Sequence, residues 1–111
     1  MKTKLSKVTD IPMSVKKKVW NRDNQRCIYC GRPNAMPCCH YIRRTAGGLG
    51  IERNIVTLCN DCHHNFDNGD RTIREHYKEY IRSYLKSRYE DWNEEELVYR
   101  RNEWTINKDG Q

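Results

Sequence analysis

The sequence predicts a small α+β domain: a β-hairpin followed by a helix, with further helices on both flanks. Three observations carry that prediction. Two CxxC pairs, Cys27/Cys30 and Cys59/Cys62, are separated by 28 residues. Two short strand-like segments flank a glycine-rich turn between those pairs. A later segment repeats apolar residues at helical spacing. With 111 residues, 36% hydrophobic and 32% charged, the core is thin and a chemical staple is expected.

The elements follow in order. Residues 1–11 read as a basic, flexible arm. A helix is expected from about Pro12 to Asp23, because proline is tolerated in a first turn and Val15, Val19 and Trp20 form a short apolar stripe. Cys27-Ile-Tyr-Cys30-Gly31 reads as a turn, and the stretch to Pro37 as loop. A strand is expected around Cys38–Ile42, then a turn through Gly47, Gly48 and Gly50. A second, β-branched strand is expected over Asn54–Leu58. Cys59 to Cys62 leads into a helix ending near Asn68-Gly69. The clearest helix comes next, with Thr72 and Glu75 placed as a capping box. Its Ile73, Tyr77, Tyr80, Ile81, Tyr84 and Leu85 fall on one face. Asn93 and Glu96 offer a cap for a last short helix holding Leu97 and Val98, before a frayed end. Residues 12–70 thus read as a stapled core with its N-terminal helix, and 71–111 as a helical extension of the same domain.

Charge is unevenly spread. The chain carries a net +6 and a pI near 9.1, which favours a polyanionic partner. Residues 1–26 hold eight Lys/Arg against two acids, and residues 27–70 balance at four of each sign. All the cysteines and three of the four histidines lie in that neutral segment, between the basic N-terminal arm and residues 71–90, where Lys/Arg again outnumber acids. No apolar leader opens the chain and no window reaches the roughly 20 apolar residues of a membrane span. A reducing, intracellular setting is therefore expected, and there paired cysteines bind metal more often than they form disulfides.

Two CxxC knuckles let four thiolates reach one ion, the tetrahedral all-sulfur shell that zinc prefers. Cys27, Cys30, Cys59 and Cys62 are the expected ligands of a structural zinc. Such a shell leaves no open position, so any chemistry must come from elsewhere. His40 lies on the first strand, Asn54 opens the second, and His63 follows the second knuckle. The staple and hairpin bring these three within reach of each other. Asp67 is four residues after His63, so both side chains share a helix face. Arg43 and Arg44 sit at the mouth of the hairpin, and guanidinium forks suit phosphate. Lys16, Lys17, Lys18 and the arm lysines add nonspecific phosphate contacts.

Residues 15–70 resemble the HNH endonuclease family, the ββα-metal nucleases, especially small phage and prophage versions with a four-cysteine zinc. The matching stretch is HYIRRTAGGLGIERNIVTLCNDCHHNFDNG at 40–69, preceded by CIYCGR at 27–32. The tail SRYEDWNEEELVYR is also similar to the helical end of those proteins. The resemblance implies a ββα-metal, treble-clef-like core that hydrolyses phosphodiester bonds of double-stranded DNA in a bacterial cytoplasm. His40 would be the general base, a role that an imidazole pKa near 6.5 suits. His63 would bind a single Mg²⁺ or Mn²⁺ with Asp67 as second ligand, Asn54 would steady the loop and His40, and products would carry 5′-phosphate and 3′-hydroxyl ends. One position departs from the family. Many members place Asp or His just before the base, where this chain has Cys39. Either Cys39 is a spectator or the site takes a softer metal. A rival reading is a catalytically inactive zinc-ribbon or treble-clef DNA-binding module. A zinc-dependent protein-interaction domain accounts for the cysteines but not for the histidines.

Overall fold

Proline at residue 12 separates two N-terminal helices in the computed structural model, which describes residues 4–99. The first, α1 (Lys4–Thr9), is six residues long, too short to persist on local propensity. Tertiary contacts hold it: the Gly50 N–H donates to the Val8 carbonyl at 3.0 Å, and Thr9 is only 2% exposed. Any Cβ at residue 50 would overlap the Asp10 carbonyl, so glycine is required for this approach. From Lys4 to Thr9 the arm expected to be flexible is therefore a docked helix.

Helix α2 (Met13–Arg22) starts where Pro12 presents its carbonyl to the N–H groups of Val15 and Lys16. Of the expected stripe only Val19 is fully buried; Trp20 remains 39% exposed. Asn24 and Gln25, both with positive φ, then reverse the chain toward the first knuckle.

Strands β1 (Ala35–His40) and β2 (Ile55–Cys59) form the expected antiparallel hairpin, pairing Ala35 with Cys59, Met36 with Leu58, Cys39 with Val56 and His40 with Ile55. Three steps along β1 match two along β2, which places a bulge at Pro37–Cys38. Proline has no N–H to give the ladder and is at home there. β1 therefore begins earlier than the Cys38 start expected from residue type. Ala35 before the bulge and Cys39 after it are buried, while Cys38 and His40 are only partly buried.

All five residues of β2 are buried, because α2 and the next helix both pack against the hairpin. Val56 and Leu58 join a core with Phe66, Tyr77, Ile81, Leu85 and Leu97. Helix α3 (Asn60–Asn68) follows β2 without a loop, and Cys59 caps it by accepting the Cys62 N–H on its sulfur. Helix α4 (Arg71–Arg88) buries Tyr77, Ile81 and Leu85 of its expected apolar face, while Ile73 and Tyr80 are each 40% exposed. Its cap is Asp70, whose carboxylate accepts from the Ile73 N–H at 2.9 Å. Thr72 lies inside the first turn, so the expected Thr72/Glu75 capping box does not form; an aspartate two residues earlier reaches the free N–H groups first. The last expected helix is a 3₁₀ turn, Glu94–Leu97, capped by Asn93, and Val98 leaves it to bridge Gly48. The expected frayed end lies outside the described residues.

One ion pair ties these layers together. The Arg22 guanidinium spends all five N–H donors: on both Asp23 oxygens, the Glu52 and Ile55 carbonyls, and the Tyr89 hydroxyl. Asp23, 5% exposed, also accepts from the Thr57 N–H and the Tyr84 hydroxyl. α2, β2 and α4 thus meet at one saturated polar node, the condition under which a buried charge pair is tolerated.

Candidate active site and metal centre

The two CxxC turns converge. The sulfurs of Cys27, Cys30, Cys59 and Cys62 all lie within 4.8 Å of one another, positioned to hold a metal ion such as zinc. Four bonds of about 2.3 Å in a tetrahedron need sulfurs about 3.8 Å apart; Cys30 and Cys59 stand at 3.5 Å. Each knuckle folds back on itself, the Cys30 N–H donating to Cys27 Sγ at 3.4 Å and the Cys62 N–H to Cys59 Sγ at 3.5 Å. Burial pushes the Cys27 thiol up, yet backbone donors from Cys30, Cys59 and Tyr29 outweigh it and bring the group down to about 7. Burial raises Cys62, and the Tyr77 hydroxyl, donating to its sulfur at 3.6 Å, works the other way. Asn65 Nδ2 donates in turn to that hydroxyl at 3.3 Å. This centre is closed by α3, α4 and the Tyr29 ring, which packs 4.4 Å from Tyr77 between ring centroids.

On the other face of the hairpin a cleft of about 980 Å³ opens between the end of α1, the start of α2, β1 and α3. His40, His63 and Asp67 all line it. His63 Nε2 and Asp67 Oδ2 are 3.1 Å apart across one turn of α3. The His40 ring bonds through Nε2 to the Thr9 carbonyl at 2.8 Å. A carbonyl only accepts, so Nε2 carries the proton and Nδ1 keeps its lone pair. Burial holds His40 below its usual 6.5, aided by Arg44 and His63 and opposed by the Thr9 bond. At neutral pH the ring is a neutral base.

Lys7, Lys16, Arg43 and Arg44 also line the cleft, four cations facing the Asp10 and Asp67 carboxylates. Arg43 donates to the Asp67 carbonyl at 3.0 Å, while Arg44 pairs with the Asp10 carboxylate and reaches Thr9 Oγ1 at 3.4 Å. Lys17, expected beside Lys16 at the phosphate surface, is exposed and lies off the cleft lining, since consecutive helix positions point about 100° apart.

Two further residues lie off the cleft lining. Asn54 is 0% exposed and does not line the cleft. Its side chain accepts from the Ile42 N–H at 2.9 Å and donates to the Ile42 and Leu49 carbonyls. It clamps the loop that carries both arginines, but the group that holds His40 is Thr9. Cys39 is 1% exposed within the core, and burial keeps its thiol protonated far above the usual range. That environment suits the spectator reading of Cys39 and not a metal ligand. Sequence reasoning passed over Thr9, Asp10 and Cys38 at the cleft. A backbone carbonyl carries no residue-type signal, and only the fold brings α1 over the hairpin. No protein-family model, curated protein or solved structure matches this chain.

Proposed function

We propose that the chain is a metal-dependent endonuclease of the HNH type, with a treble-clef-like ββα-metal core, hydrolysing phosphodiester bonds of double-stranded DNA. The observation that carries the reading is a neutral imidazole, its Nε2 held by the Thr9 carbonyl, sharing one cation-lined cleft with a histidine–carboxylate pair. The four-cysteine centre takes zinc, whose closed thiolate shell fixes the hairpin to α3 and leaves the chemistry to the cleft.

His63 and Asp67 fit a hard divalent ion. Adjacent ligands at about 2.1 Å in an octahedron lie about 3.0 Å apart, close to the 3.1 Å between their donor atoms. Only two protein ligands leave room for water and phosphate oxygens. His63 and Asp67 would hold Mg²⁺ or Mn²⁺, which would supply Lewis-acid stabilisation of the phosphoryl group and the departing 3′-oxygen. His40 Nδ1 takes the proton from the attacking water, and the Thr9 carbonyl stabilises the imidazolium that results. Arg43 and Lys16 hold the phosphate against the cleft wall. Arg44, bound to Asp10 in the free protein, exchanges that carboxylate for the incoming backbone.

Supercoiled plasmid incubated with zinc-loaded protein and a Mg²⁺/Mn²⁺ series tests this. Nicking or linearisation is expected, absent without added metal and reduced about 10²- to 10⁴-fold in His40→Ala, the usual worth of a general base. DNA retarded on a gel but uncut at every metal concentration would make the chain a DNA-binding module instead.

A further inference from the structure

A second groove, about 360 Å³, runs along the first two turns of α4 beside the loop after β1. Arg71, Arg74 and Lys78 line it at positions i, i+3 and i+7, one stripe of the helix. Arg43 is the fourth cation, and it lines the catalytic cleft as well, so the two hollows share a wall. The only carboxylate in the lining is Glu75, which pairs with Arg71 at 3.0 Å. The floor is apolar, formed by Tyr41, Ile42 and Phe66.

The cations here are underused. Lys78 rests its ammonium over the Tyr41 ring at 5.8 Å, and neither it nor Arg74 has a carboxylate partner among the described residues. Arg74 Nε is shielded from solvent with no acceptor. A buried donor left unpaired is costly, and few such groups persist in folded proteins. Arg22, by contrast, satisfies all five donors inside the fold. An arginine kept short of acceptors in a cation-lined groove is matched by an incoming anion with several oxygens. A low-lying apolar floor suits the sugar face of a nucleotide.

We infer that this groove is a second phosphate subsite, seating the DNA backbone next to the phosphodiester held in the cleft. The inference rests on reading the cleft as a DNA site. Arg43 is the shared post between the two phosphates, with Arg74 and Lys78 gripping the outer one. These contacts set the register of the duplex over His40 without reading its sequence.

Binding of a fluorescein-labelled 24-bp duplex by the zinc-loaded protein, followed by anisotropy over a salt series without Mg²⁺, tests the subsite. Each phosphate contact contributes about 0.9 to the slope of log Kd against log salt. Arg74→Gln/Lys78→Gln should lower that slope by about 1–2 and weaken binding roughly tenfold at moderate salt, equally for unrelated sequences. Lys86→Gln/Arg88→Gln removes two charges from the same helix away from the groove and should leave the slope unchanged. If Arg74→Gln melts poorly by circular dichroism, Arg71→Gln/Lys78→Gln takes its place in the same measurement. A slope equal to wild type, a slope equally lowered in the control pair, or loss of binding to anionic vesicles alone overturns the subsite. Plasmid cleavage with an unchanged slope would leave the nuclease reading standing and remove the groove; a lowered slope without cleavage does the reverse.

Discussion

The two faces of the hairpin hold donor sets of opposite character. On one, four sulfurs converge under a lid of aromatic rings, and each knuckle returns its own N–H to a sulfur. On the other, two imidazoles and two carboxylates line a cleft of about 980 Å³ among arginines and lysines. Soft, numerous and enclosed donors finish a coordination shell; hard, few and open donors leave one unfinished. The same small sheet separates a four-sulfur cluster positioned to hold a metal from an open, cation-lined cleft.

Removing ligands from each face is the strongest way to break that contrast. Cys59→Ser should abolish cooperative melting by circular dichroism, since structural zinc contributes on the order of 10 kcal/mol and small domains have about 5–15 in total. His63→Ala should move the melt by less than about 1 kcal/mol while removing cleavage. A wild-type chain that melts identically with and without added zinc would erase the distinction.

The closed side also depends on the Arg22–Asp23 node. Asp23→Asn keeps the shape but leaves a buried guanidinium uncompensated, with an expected loss of about 3 kcal/mol in urea unfolding. On the open side the lever is protonation. Burial lowers the His40 pKa from 6.5, so kcat/KM at saturating metal should climb with pH to a pKa below 6.5 and stay flat above it. Because the unfolded chain binds that proton more readily, the same group's stability contribution is present above 6.5 and lost as pH falls below it. An activity midpoint at or above 7 would contradict a buried His40 as the base. The smallest expected effect is at Thr57, whose Oγ1 is buried without a partner. Thr57→Val should hold the melting temperature or raise stability by up to about 1 kcal/mol.

Features set by local spacing were legible in the sequence. The spacing within each CxxC pair, the i, i+4 relation of His63 and Asp67, and the Tyr77, Ile81 and Leu85 stripe of α4 depend on neighbours a few residues away. Features set by distant contacts were not. Nothing near Lys4–Thr9 announces a helix; Gly50 and His40, more than thirty residues on, hold it in place. Asn54 looked like a catalytic neighbour because its partners, Ile42 and Leu49, are ordinary apolar residues whose backbone alone matters. Asp70 outcompeted Thr72 as a cap by the geometry of a single turn. The irregular pairing between Met36 and Cys39 carries β1 back to Ala35, a start that residue type alone does not mark.

Cys62 and His63 are consecutive residues of α3, so a sulfur aimed at one hollow and a ring aimed at the other are fixed about 100° apart on a common axle. A single residue inserted between them would swing the ring and its carboxylate companion a quarter-turn out of alignment while the knuckle stayed intact. The spacing between the four-sulfur cluster and the His63–Asp67 pair is therefore as constrained as the residues themselves.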